Sequence, residues 1–215
     1  MKILAVSDIV MERIYSPKIR SLFPDVDLVI GCGDLPQNYL EYILTVLDKP
    51  AYYVNGNHAI LENKDDPEKK NYCGSINIHR LVKHFEGYSF AGVEGCLRYK
   101  NGIYQYSQFE MWLNIIPLIP GLLLNRIRSG RYLNFLITHA PAWGIHDQPD
   151  HVHQGVKAFR WLINCFQPDY HLHGHIHVYR PDMVVQTNYG RTKVINVFGY
   201  QVIDFNGIKP NLITN

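Results

Sequence analysis

The chain has 215 residues, 47% of them hydrophobic and 19% charged, with a formal net charge of +2. That length suffices for one domain with a full core, and so weak a charge gives no bulk electrostatic reason to expect nucleic acid. The four cysteines, Cys32, Cys73, Cys96 and Cys165, are scattered, which suits a reducing cytosol better than a disulfide framework or a thiolate zinc site.

The start, "MKILAVSDIV", has too short an apolar run for a signal peptide. The longest apolar stretch, "IIPLIPGLLL" at 115–124, is about half of a bilayer span. A single domain over residues 1–215, cytoplasmic and with no transmembrane span, is the expectation.

In chain order, "KILAVS" (2–7) and "DLVIG" (27–31) read as buried parallel strands, joined by a helix with Ser16 as N-cap and Pro17 at its first position. A helix near 37–47 puts Leu40, Ile43, Leu44 and Leu47 on one stripe, and "AYYVN" (51–55) is the third strand. The polar loop "GNHAILENKDDPEKKNYCG" is too long for a mere connector. From 76 to 99 the short runs "INI", "LVKHF" and "YSFAGVEG" suggest an antiparallel part of the sheet system. A helical segment over 106–128 is broken by Pro117 and Pro120. Then come a strand at 132–138, a helix at 155–166, a strand at "YHLH", and three short strands in a meander with "NYGR" as a turn. Alternation of strands and helices makes this an α/β fold.

"HLHGHIH" (171–177) places four histidines at alternate positions around a glycine. On one unbroken strand the first and last would be about 20 Å apart, so no single metal could hold all four. Glycine permits a sharp turn, so the strand should end at Gly174 with His175 and His177 just beyond it. Asp8, Asp34, the pair Asn57 and His58, and His139 likewise follow strands. In open α/β sheets the ligand crevice lies outside the carboxyl ends of the strands. Five strand ends would therefore deliver carboxylates, an amide and imidazoles to one crevice. That oxygen and nitrogen set suits Mn, Fe, Zn or similar ions, and six such ligands imply two divalent metals, about 3.5–4 Å apart.

The motifs "DIV" at 8, "GD" at 33, "GNHA" at 56, "THAP" at 138 and "GHIH" at 174 give the chain a resemblance to the calcineurin-like metallophosphoesterases. "THAPAWGIHD" followed by "AFRWLI" resembles the branch with small bacterial phosphoesterases and brain-type metallophosphodiesterases. The resemblance implies a four-layer α/β/β/α sandwich. It implies Asp8, Asp34 and His177 as ligands of a first metal, Asp34 as the bridge, and Asn57, His139 and His175 as the other ligands of the second. His58 would be the acid at the leaving oxygen, and the reaction in-line attack on phosphorus by a hydroxide that the metals generate. A small phosphate ester, with diester favoured over monoester, is the implied substrate.

Two positions depart from the family pattern. Val10 stands where the family has a histidine ligand, which weakens the first metal position unless Glu12 compensates. Ala59 replaces the acid after "GNH", leaving Asp65, Asp66 or Asp147 as alternative partners for His58. Because a retromer subunit uses the same fold as a protein-binding scaffold, a non-catalytic, metal-poor scaffold is the alternative reading. Arg13, Tyr15, His79, His146, His151 and His153 are candidates for substrate contact against a reading as ordinary loop residues, whereas His84, His171 and His173 read as structural. The segment 109–128, with Arg126, Arg128 and Arg131, is a core helix pair or an apolar ridge touching a membrane surface, a lipid-like substrate or a second subunit.

Overall fold

Strand β1 (Lys2–Ser7) sends alternate side chains into two different apolar interiors, and the layering follows from that alternation. Ile3 and Ala5 join Leu28, Ile30, Phe90, Phe135, Ile137 and Leu172 in one cluster. Leu4 and Val6 join Ile19, Tyr39, Leu40 and Ile43 in another. A strand buried on both faces needs the continuous apolar run that "ILAV" supplies.

The computed structural model describes residues 1–58 and 74–207. Its first sheet has the order β13 (Gly199–Asp204), β1, β2 (Leu28–Gly31), β3 (Ala51–Tyr53) and β4 (Ser75–Asn77), parallel except for β13. The second has the order β11 (Gln186–Tyr189), β12 (Thr192–Asn196), β10 (Tyr170–His173), β9 (Phe135–Thr138), β6 (Tyr88–Val93) and β5 (Val82–Phe85). Its four inner strands are parallel, and both edge strands antiparallel. A short parallel pair, β7 (Cys96–Leu97) and β8 (Gln105–Tyr106), lies apart from both.

The sheets face each other across rings. Phe90 and Phe135 stack with centroids 4.8 Å apart, Tyr170 stacks on the other side of Phe135 at 5.3 Å, and Phe205 meets Phe135 edge-on at 4.9 Å. Helices α1 (Ile19–Leu22) and α2 (Gln37–Leu47) cover the first sheet. Helices α3 (Gln108–Ile115), α4 (Ile119–Ser129) and α5 (Lys157–Phe166) cover the second through Met111, Ile115, Leu122, Phe159 and Leu162. Four layers, α/β/β/α, result.

Several local expectations are corrected. Residues 11–17 form turns rather than a helical start, and α1 begins only at Ile19 after Lys18; Ser16 Oγ bonds the Arg13 carbonyl instead of capping. The stretch after residue 74 is antiparallel only between β5 and β6, since β4 extends the first sheet in parallel and β6 pairs in parallel with β9. The C-terminal meander stops after β11 and β12: β13 crosses to the first sheet and pairs with all of β1. Without that crossing, β1 would carry an open edge. The break at Pro117 and Pro120 does occur, as a 3₁₀ turn over Ile116–Leu118 that separates α3 from α4. Ser107 and Glu110 form a reciprocal capping box at the start of α3.

Phe135 touches three other rings at the centre of the inter-sheet layer and is fully buried. Phe135→Ala should therefore cost about 3–5 kcal/mol of unfolding free energy, read from the denaturant midpoint at unchanged slope.

Candidate metal centre

The parallel strands of both sheets end at one edge of the molecule, and the candidate residues follow them. Asp8 comes straight after β1, Asp34 three residues after β2, His139 straight after β9 and His175 two residues after β10. Asp8, Asp34 and His175 have positive φ, at 67°, 54° and 68°. Each non-glycine residue in that region costs on the order of 1 kcal/mol, and such costs gather at functional sites. Close backbone approach completes the turns: a methyl group on Gly56 would overlap the Asp34 carboxylate, and one on Gly174 the Ser7 hydroxyl.

Asp8, Asp34 and His139 bring ligand atoms within 4.8 Å of one another. His139 Nε2 lies 3.2 Å from Asp34 Oδ2 and 2.9 Å from Asn57 Oδ1, while its Nδ1 donates to the Cys32 carbonyl at 2.8 Å. The Asn57 amide nitrogen donates to Tyr99 Oη at 3.1 Å, which turns its oxygen toward His139. The His175 N–H donates to both Asp8 carboxylate oxygens at 3.0 and 3.2 Å, and its ring meets His139 edge-on at 5.0 Å. His177 Nε2 lies 3.9 Å from Asp8 Oδ1, with Nδ1 2.6 Å from Tyr179 Oη. The His58 N–H donates to Asp34 Oδ1 at 2.7 Å, and the residue is exposed. A continuous set of contacts thus joins all six candidate ligands and His58.

The electrostatics suit a cation. Burial pushes Asp8 above the usual carboxylate range, against the pull of His139 and the Ser7 hydroxyl. Burial acts on Asp34 in the same sense, but His139 and the His58 N–H overcome it and hold Asp34 at about 2. Burial lowers His139, yet Asp34, Asp8 and the Cys32 carbonyl more than offset this and raise it to about 9. One proton on His139 therefore neutralises part of two buried carboxylates. Burial takes His175 down to about 3, so it is neutral; with Nε2–H donated to the Val152 carbonyl at 2.9 Å, the lone pair is left on Nδ1. Two carboxylates, an amide oxygen, the His175 lone pair and His139 once its proton has left fit divalent cations of the Mn, Fe or Zn type.

The remaining candidates are more dispersed. Val10 is 42% exposed, and Glu12 and Arg13 are exposed on the following turns; among the described residues Glu12 does not join the Asp8, Asp34 and His139 group. Ala59, Asp65 and Asp66 lie outside the described residues, and Asp147 accepts the Gly155 N–H at 3.1 Å. His79 belongs to a separate buried cluster. Its Nδ1 accepts the Glu94 N–H, its ring stacks on Tyr106, and Glu94 takes bonds from Asn55 and Tyr106. His146 spends both ring nitrogens inside the protein, Nδ1 on His173 at 2.9 Å and Nε2 on Thr187 at 2.8 Å. His153 bonds Asp150 through Nδ1 and, with His146 and His177, lines a cavity of about 660 Å³. Sequence reasoning missed Tyr99, Asn55 and Glu94. A glutamate inside the apolar run "AGVEG" is the one signal that pointed there.

The profile of calcineurin-like phosphoesterases matches residues 1–179. The chain belongs to the calcineurin-like phosphoesterase family. Members typically bind divalent metals, and some are non-catalytic. TT1561 of Thermus thermophilus is 18% identical with a TM-score of 0.60, the match covering 92% of this chain and 89% of that one. A hypothetical protein from the same organism is 14% identical with a TM-score of 0.54, over 92% and 76%. GAP50, described as the anchor in the inner membrane complex of Plasmodium, is 10% identical with a TM-score of 0.52, over 92% and 71%. At these identities the likeness is one of fold. No curated protein matches the sequence significantly.

The His139 proton gives a pH signature to the metal-free protein. Its folded value of about 9 exceeds the ordinary 6.5, so the contribution is complete below about pH 6.5 and is lost as pH rises toward 9. Metal-free protein should lose thermal stability across that window. Saturating Mn, which takes the proton's place, should reduce or abolish the loss; equal slopes with and without metal would show that the cation binds elsewhere.

Proposed function

We propose that the chain is a metal-dependent phosphoesterase that favours diesters, acting as one domain over 1–215. Asp8, Asp34 and His177 would hold a first divalent cation and Asp34, Asn57, His139 and His175 a second, of the Mn, Fe or Zn type. The observation that carries this reading is the group of Asp8, Asp34 and His139, whose ligand atoms all lie within 4.8 Å of one another. When bound, divalent cations would polarise phosphoryl oxygens and lower the pKa of water. The chain's own groups do the rest. Asn57 is oriented by Tyr99 and His139 by the Cys32 carbonyl, so their positions are set before substrate arrives. His58 is anchored through its N–H to Asp34, with its imidazole on the solvent side to deliver a proton to the leaving oxygen.

The cavity beside His177 supports a diester. At about 660 Å³, with His153, Arg180, Tyr179 and Met183 on its wall, it has room for the second ester substituent that a monoester lacks. His153 has Nε2 left for an ester oxygen, because Asp150 takes only Nδ1. Arg13, His79 and His146 are given no such part, since Arg13 lies on the exposed turn after Asp8, His79 in the Glu94 cluster, and His146 is saturated. The free thiols Cys32, Cys96 and Cys165 suit a cytoplasmic setting. Among the described residues no helix is long and apolar enough to cross a membrane. The ridge within 109–128 would serve a contact outside the chain. The second reading, a non-catalytic scaffold, is favoured by one observation, the valine at position 10.

With Mn present, a bis-nitrophenyl diester should turn over faster than the nitrophenyl monoester, and Asp34→Ala should abolish both activities at any metal concentration. Absence of turnover together with absence of bound metal would leave the scaffold.

Val10→His should add an imidazole to the position held by Asp8, Asp34 and His177. Calorimetric titration with Mn should show the weaker of two binding steps tightening, while the stronger is unchanged. Identical isotherms would mean that the vacancy is already filled.

A further inference from the structure

The outer faces of α3 and α4 carry apolar side chains that the described chain leaves open. Phe109 is 70% exposed, Ile116 53% and Ile127 79%, with Leu113, Leu123 and Leu124 also exposed. Positions 109, 113 and 116 share one face of α3 and its extension, and 123 and 127 one face of α4. Met111 and Ile115, and Leu122, already supply the stripe that packs on the second sheet. Each helix therefore has a second apolar face that the described residues do not cover, and such faces mark contacts with something outside the chain.

Charge says what that something is. Residues 108–131 contain one acid, Glu110, whose carboxylate is already taken by both Arg98 bonds and the Ser107 cap. The same stretch contains Arg126, Arg128 and Arg131. Arg126 and Arg131 also line, with Arg191, a cavity of about 270 Å³ beyond the end of α4. Arg131 pairs with Asp169, whereas among the described residues Arg126, Arg128 and Arg191 have no carboxylate partner. Arg126 instead bonds the Gly130 carbonyl and lies over the Tyr132 ring.

We propose that this face docks on the surface of an anionic phospholipid bilayer. The apolar side chains enter the boundary between headgroups and acyl chains, and Arg126, Arg128 and Arg191 meet phosphate-bearing headgroups. A second copy fits less well. A two-fold contact would bring a basic rim against the same surface, and the one carboxylate within 108–131 is already bonded. The docking is independent of the phosphoesterase reading and survives its failure.

Sedimentation of the full chain with extruded vesicles tests it. The protein should pellet with phosphatidylcholine vesicles in which one lipid in three is phosphatidylglycerol, stay in solution with phosphatidylcholine alone, and release as salt rises. The double variant Arg126→Ala with Arg128→Ala should bind about 25-fold more weakly, taking a loss of about fivefold per arginine near an anionic surface. Leu123→Ser with Ile127→Ser should also lose binding. Unchanged Mn binding and thermal unfolding of both variants show that the fold is intact. Equal binding to neutral and anionic vesicles overturns the proposal, and so does no vesicle binding, whether light scattering finds a monomer or a dimer that Ile127→Ser dissolves.

Discussion

Two buried carboxylates placed side by side at the seam between two sheets are the constraint on which the rest of the structure turns. Such a pair is costly to assemble, because burial and mutual repulsion both disfavour ionisation. Here the cost is met locally. The His175 N–H reaches Asp8 across from the second sheet, and the His58 N–H reaches Asp34 from the loop after β3. His139, fully buried, faces both carboxylates while its other nitrogen holds the Cys32 carbonyl of the first sheet. The His175 and His139 bonds cross the seam, so the sheets cannot slide without breaking them. Gly56 and Gly174 sit where a side chain would collide with this arrangement. The crossing of β13 to the edge of β1 serves the same end, since it leaves the strand that carries Asp8 paired on both sides.

The four histidines of "HLHGHIH" divide at Gly174 as a matter of geometry and solvation. His171 and His173 stay on β10 and are fully buried. Burial holds His171 at about 3 and His173 well below its ordinary value. They are neutral hydrogen-bonding groups: His171 meets the Thr138 hydroxyl, and His173 meets His146 and the Gly174 carbonyl. His175 and His177 lie past the turn, beside Asp8. Two residues of spacing thus separate a structural imidazole from one that faces carboxylates. His146 shows the converse case, a loop histidine that reads as available and is spent on His173 and Thr187.

What the sequence made legible was whatever a repeated physical demand had written along the chain. The buried strands "ILAV" and "FLIT" announce themselves because both their faces must be apolar, and the polar residues after them stand out against that run. The fold class and the convergence of Asp8, Asp34, Asn57 and His139 follow. Pairing partners were less legible, because "QVID" carries no mark telling a hairpin neighbour from the edge of the other sheet. Strand β4 misled for a similar reason: three residues of "SIN" suit either sheet, and register with β3 decides. The Asn55 and Glu94 cluster was illegible as function, since its members bond one another rather than anything at the crevice.

The proposed ligand set is asymmetric in a way that sequence alone does not convey. On the His139 side each group has its orientation fixed by a partner: Tyr99 for Asn57, the Cys32 carbonyl for His139, the Val152 carbonyl for His175. On the other side His177 is 39% exposed at its side chain, with Tyr179 Oη as its hydrogen-bond partner, and the position before Met11 is an open valine. Orienting partners raise the basicity and fix the geometry of a ligand, so the buried half should collect a cation first. The carboxylates join the two halves. Asp34, held at about 2 by His139, offers an ionised oxygen to either side, whereas burial raises Asp8 above the usual carboxylate range. A valine rather than a histidine at position 10 therefore falls on the half that is less prepared, and filling the buried half first is what would let the open half work with one ligand fewer.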